Sequence, residues 1–111
     1  MDAEALYAQL KPLQEKKGYY FSNDMPLVLE LLEALLVNKN RYGYMACPCR
    51  LASGEKEEDR DIFCPCVYRE PDVKDYGCCF CGLYVSKEVK ENNKACPFVP
   101  ERRPPEKMDM L

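Results

Sequence analysis

Apolar residues near the start of the chain recur at helical spacing, at Ala3, Leu6, Tyr7, Leu10 and Leu13, and predict one short amphipathic helix. Pro12 is expected to stop it at or before Lys11, because proline has no amide proton and restricts the residue before it. After the turn-prone Ser22-Asn23-Asp24, Pro26 stands where a first helical turn tolerates it, and Leu-Val-Leu-Glu-Leu-Leu-Glu-Ala-Leu-Leu-Val follows. This second helix is apolar nearly all round, with only Glu30 and Glu33 marking a wet stripe. It is therefore expected to be the main core element, ending near Asn38 to Asn40 ahead of Gly43.

Beyond Gly43 the periodicity weakens. Ser53 is expected to cap a further short helix whose first turn carries Glu55 and Glu57, favourable near a positive helix end. The stretch from Val67 to Gly77 reads as loop, and Gly82 to Ser86 as a short extended or helical piece. From Pro97 the chain holds four prolines and mostly charged residues, the pattern of an irregular wrap or a disordered end. The expected fold is mainly α: a small multi-helical single domain over residues 1–96 with a tail over 97–111.

Composition narrows the function classes. The 111 residues are 47% apolar, enough for one compact core. The N-terminus is acidic and periodic, without the basic start and unbroken apolar stretch of a secretory leader. That predicts a cytoplasmic protein, with a bacterial or archaeal cytosol favoured over a plastid. The longest apolar segment, Leu27 to Val37, is too short to cross a bilayer, so no membrane is expected. A net charge of −3 argues against a nucleic-acid partner, which would call for clustered Lys and Arg. Lys16, Lys17, Lys39 and Arg41 are read either as a positive face for an acidic partner or as solvated helix ends.

The eight cysteines change the picture most. Such density means a disulfide scaffold, zinc, or an iron–sulfur or thiol redox centre. Six fall in a repeated Cys-x-Cys unit: Cys47/Cys49, Cys64/Cys66 and Cys79/Cys81. In an extended or turning backbone, thiolates at i and i+2 reach toward a common centre, and proline stiffens the turn in the two Cys-Pro-Cys units. Tetrahedral zinc and cubane iron–sulfur sites each use four protein ligands, so three pairs leave two sulfurs over. A dithiol and disulfide couple beside a metal cluster would need that surplus. A zinc-stabilised interaction module with up to two Cys₄ sites is the alternative, although zinc knuckles space their cysteines more widely. A pure electron carrier would leave the surplus sulfurs unused.

Two Cys-Pro-Cys units followed by a third Cys-x-Cys resemble the catalytic chain of ferredoxin:thioredoxin reductase. The likeness extends to Gly18-Tyr19-Tyr20-Phe21, the apolar helix, Arg41-Tyr42-Gly43 and Arg50 directly after the first pair. The resemblance implies a [4Fe–4S] cluster held by Cys47, Cys64, Cys66 and Cys79, leaving Cys49 and Cys81 as a redox-active disulfide. It implies that Cys49 attacks the partner and that Cys81 is held against the cluster. Ferredoxin would be the electron donor and thioredoxin or a similar disulfide protein the acceptor, with a small second subunit commonly present. Ferredoxin near roughly −400 mV and thioredoxin near −270 mV differ by about 130 mV, or ~6 kcal/mol for two electrons, so reduction runs downhill.

The chain departs from the family in three ways. The family's third pair encloses histidine where Phe80 stands here, and there is no histidine at all. Solvent, Tyr76, Tyr84 or a carboxylate would then handle protons, with Phe80 sealing the cluster or simply filling the core. Cys78 adjoins Cys79, so either could be the fourth ligand, Cys79 preserving the Cys-x-Cys register. Cys96 lies outside the pairs and reads as a buried structural cysteine. The loops between the pairs also differ in length, which bears on the choice of partner.

Overall fold

Asp2 accepts a hydrogen bond from Ala5 N and starts helix α1, Ala3–Lys16. The helix runs straight past Pro12, which overturns the expected stop at Lys11. Pro12 cannot donate to the Ala8 carbonyl, but both residues lie on the exposed face, where water satisfies that carbonyl. Leu6 is buried, whereas Leu13, the last apolar position of the pattern, is 55% exposed. The computed structural model describes residues 1–50 and 52–104.

A two-residue strand β1, Tyr20–Phe21, leads to α2, Met25–Tyr42, which Asp24 caps through Leu27 N and Gly43 ends in the left-handed conformation. Lysine, asparagine and arginine sustain the helix to Tyr42, beyond the expected Asn38 to Asn40. Val28, Leu31, Leu32 and Leu35 are buried along it. With Leu6, Phe21, Leu83 and Tyr84 they form the main core, while Glu30 and Glu33 face water as expected.

The expected helix after Ser53 does not form. Turns carry the chain to a single 3-10 turn at Arg60–Ile62, because the buried Asp59 gathers the loop around itself. Its carboxylate accepts from Tyr44 Oη at 2.5 Å, Ser53 Oγ at 2.9 Å and Gly54 N at 3.2 Å.

The Val67 to Gly77 stretch, expected as loop, contains α3, Arg69–Tyr76. Pro71 falls in its first turn, where the amide proton has no helical partner anyway, and Gly77 closes it at φ 81°. The Gly82 to Ser86 piece, expected as extended or helical, supplies strand β2, Tyr84–Val85, antiparallel to β1 with Phe21 opposite Tyr84. Ser86 then caps α4, Lys87–Asn92. The architecture among the described residues is four α-helices around one small two-stranded antiparallel sheet, mainly α as expected.

After α4 the chain is irregular. Val99 and Arg103 are buried on the body, and Arg102 pairs with Asp72 at 2.5 Å and with Asp75. The last part of the expected tail, 105–111, lies outside the described residues.

Candidate functional site

Each Cys-x-Cys unit sits at a tight turn. Arg50 N bonds to Cys47 O at 3.2 Å, Arg69 N to Cys66 O at 3.2 Å and Gly82 N to Cys79 O at 2.9 Å. Ladder-like bonds bring the turns together. Cys47 N bonds Ile62 O at 2.7 Å and Cys64 N bonds Met45 O at 2.8 Å, laying the first two units side by side. Cys79 N bonds Tyr84 O at 2.9 Å, which fixes the third unit to β2 and so to the main core. The Cys64–Pro65 peptide bond is cis.

Cys47, Cys64, Cys66, Cys79 and Cys81 line one small cavity, together with Arg50, Arg69, Phe80 and Tyr84. Cys49 is the exposed thiol of the group. Its thiol nonetheless influences the ionisation of Cys47 and Cys81, and it lies two residues beyond the buried Cys47. Cys79 Sγ and Cys81 Sγ are 3.9 Å apart. Cys49 and Cys81 are both free thiols, and the disulfide joins Cys78 to Cys96 instead. That bond removes Cys78 from the pool of free thiols, while Cys79 faces the cavity. Cys96, expected as a buried cysteine, lies in an exposed stretch and serves as the outer end of this bridge.

The thiols are not electrostatically equal. Hydrogen bonds from Cys49 and Cys81 hold Cys47 well below the usual thiol range, with burial opposing and Arg50 assisting. A hydrogen bond from Cys81 likewise brings Cys79 down to about 7. Donating to Cys47 keeps Cys49 and Cys81 protonated and pushes both upward. Burial raises Cys64 and Cys66, with Arg69 and Arg50 respectively pulling the other way.

Two buried arginines supply positive charge. Arg50 Nη1 donates toward Cys47 Sγ at 3.8 Å and Cys66 Sγ at 3.5 Å. Arg69 stacks over Tyr19 at 3.8 Å and Tyr84 at 4.8 Å and donates to Gln14 Oε1 at 2.5 Å. Among the described residues no ion pair joins Arg69 to a carboxylate. A buried cation of this kind calls for a compensating anion, and the thiolate-lined cavity beside it is where one would sit. Tyr84 adds an unpaired polar group, since its buried hydroxyl has no hydrogen-bond partner among the described residues.

These features fit an all-thiolate iron–sulfur group. The donor set is purely sulfur, the wall carries unneutralised positive charge, and Tyr84 N donates to Cys79 Sγ at 3.3 Å, the type of contact that tunes such groups. No set of three or more His, Cys, Asp or Glu side chains among the described residues is arranged around a single metal ion.

Of the proposed proton handlers, burial raises Tyr84 far above its ordinary range, which leaves it neutral and able to donate. Tyr76 lies under Arg102 at 6.0 Å, in the α3 region away from the cavity lining. Arg69 and Glu101 went unread in the sequence. Arg69 had one usable signal: like Arg50, it follows a Cys-Pro-Cys cysteine by three residues.

A family model described as "Ferredoxin thioredoxin reductase catalytic beta chain" matches residues 2–98. A ferredoxin-thioredoxin reductase catalytic chain of Guillardia theta is 32% identical over 76 residues, covering 67% of this chain and 71% of that relative. The corresponding catalytic chain of Porphyra purpurea is 26% identical over 87 residues, covering 77% of this chain and 70% of the relative. The matched span includes all three cysteine pairs and the turns that present them, and the chain belongs to the ferredoxin thioredoxin reductase catalytic beta chain family.

Proposed function

We propose that this chain is a ferredoxin-dependent disulfide reductase acting on thioredoxin or a thioredoxin-like protein. Cys47, Cys64, Cys66 and Cys79 would hold a [4Fe–4S] cluster, with Cys49 and Cys81 as the exchanging pair. The observation that carries the reading is a single cavity lined by Cys81 together with Cys47, Cys64, Cys66 and Cys79, with Cys49 exposed two residues from Cys47. When bound, the cluster supplies one-electron chemistry between a donor that delivers electrons singly and a disulfide that takes two.

The chain's own groups perform the exchange. The Cys49 thiol gives up its proton to solvent as its sulfur attacks one sulfur of the partner's disulfide; the other sulfur leaves as a thiolate and takes a proton. Cys81 then attacks Cys49 Sγ, which releases the partner's second thiol and forms a Cys49–Cys81 disulfide. Two electrons and two protons restore both thiols. Cys49 meets the partner because it is exposed, whereas Cys81 is shielded and resolves the mixed disulfide from behind.

Phe80, Tyr84 and Arg69 wall the cavity and limit water around it. With no histidine in the chain, protons at Cys49 exchange with solvent directly.

Anaerobic purification with iron, sulfide and zinc counts, followed by assay with ferredoxin and thioredoxin, tests this reading. A brown protein near four irons and four sulfides per chain that reduces thioredoxin is the expected result. A colourless protein carrying zinc would overturn it in favour of a zinc-stabilised module.

A further inference from the structure

Arg50 has a side chain only 1% exposed, and its guanidinium is held by polar and aromatic partners. One edge points Nη1 at Cys47 Sγ and Cys66 Sγ. Along the other, Nε reaches both carboxylate oxygens of Glu101 at 3.0 Å and Nη2 reaches Oε1 at 2.8 Å. The guanidinium carbon also lies over two rings, Tyr68 at 4.9 Å and Phe80 at 4.5 Å. Such a planar fork, held along one edge, aims its remaining donors in a fixed direction. Glu101 lies 51 residues further along the chain and is absent from the cavity lining.

We propose that Arg50 is a positioning residue that sets the reduction potential of the cysteine site, and that Glu101 of the C-terminal segment holds and partly offsets its charge. The inference rests on the reading of Cys47 and Cys66 as cluster ligands. A cation donating N–H groups to ligand sulfurs favours the more negative, reduced state and raises the potential. Glu101 places a negative charge on the far side of the same guanidinium and opposes that effect. Phe80, where the family has histidine, provides the flat apolar face on which this permanent cation rests. The site thus has a fixed charge beside it, not a titrating one.

The signs of two substitutions separate this role from a merely structural one. Arg50→Gln removes the cation, so the midpoint potential of the purified holoprotein falls. Glu101→Gln keeps an acceptor for the guanidinium and removes the opposing charge, so the potential rises. Arg50→Lys keeps the charge without the planar fork and gives a smaller fall than Arg50→Gln. The experiment is a spectroscopic redox titration of each variant, with iron and sulfide counts. Opposite shifts for the two glutamine variants support the proposal; shifts of the same sign, or none, overturn it. If Arg50→Gln assembles no cluster, Glu101→Gln decides alone, a rise supporting and anything else overturning. Wild-type protein without iron and sulfide would overturn the functional reading and this inference together. A full cluster whose potential ignores both changes overturns only the inference.

Discussion

Asp59 shows how far one side chain can shape the loop between the first two cysteine pairs. It is fully buried and collects donors from Tyr44, Ser53 and Gly54, with Arg103 at 3.7 Å. Burial works to raise its carboxyl, but the bonds from Tyr44, Ser53 and Gly54 outweigh this and hold it below the ordinary value. Its contribution is therefore complete above the unfolded carboxyl value of about 4 and is lost as pH falls through the lower folded one. Asp59→Asn should flatten that acid limb in urea unfolding measured from pH 7 down to 3. Asp59→Ala, which strands several buried donors, should lose about 2–4 kcal/mol at pH 7. Among the cysteines, Cys49→Ser should abolish thioredoxin reduction while iron and sulfide counts stay at the wild-type level. Cys64→Ser should lose the proposed cluster outright, which the same counts would register. The Cys-x-Cys units were legible because their spacing is local. Arg69 and Glu101 were not, because an isolated charged residue reads as surface until the fold buries it.

At the scale of elements, proline and glycine carried opposite lessons. Pro12 and Pro71 look alike as helix breakers, yet one sits on a wet helix face and the other in a first turn, so neither breaks anything. Only the three-dimensional placement of the freed carbonyl or missing donor decides the cost. Gly77 is less forgiving. It holds φ 81°, and an added Cβ would meet Val89 Cγ2 at 2.8 Å, pressing α3 against α4. Gly18 has φ 92° but open space around the same position. Gly77→Ala should therefore cost more than the ~1 kcal/mol of left-handed strain expected for Gly18→Ala. Paired chemical denaturation of the two variants checks this, and equal losses would contradict the packing argument. The strands escaped the sequence pattern because two-residue elements have too little periodicity to register.

For the whole molecule, the C-terminal segment acts as a strap. Cys96 ties it to Cys78 beside the third cysteine pair. Glu101 ties it to Arg50, Arg102 to α3, and Arg103 to Asp59 and Asp61. The disulfide spans 18 positions, a loop whose closure is worth about 3 kcal/mol in the chain-entropy model. Replacing both Cys78 and Cys96 by Ser should lower stability by roughly that amount in guanidinium titrations, and adding reductant should then produce no further loss. The molecule measures 41 × 32 × 22 Å, so its short axis leaves little protein between one broad face and the other. Lys16, Lys17, Lys39 and Arg41 are exposed near the C-terminal ends of α1 and α2, where cations also complement the helix dipoles.

The amino-acid sequence by itself determined the helical core of α2, the thiol-rich chemistry and the family, since each rests on residue types at short, fixed spacing. Tertiary structure decided which cysteines share a cavity, that Cys78 bonds Cys96, and that Arg50 and Arg69 line that cavity while Glu101 pairs with Arg50. The physical reason is the same in each case: hydrophobic periodicity and ligand spacing are properties of neighbouring residues. Burial of a charge and pairing across fifty residues exist only once distant segments have been packed together.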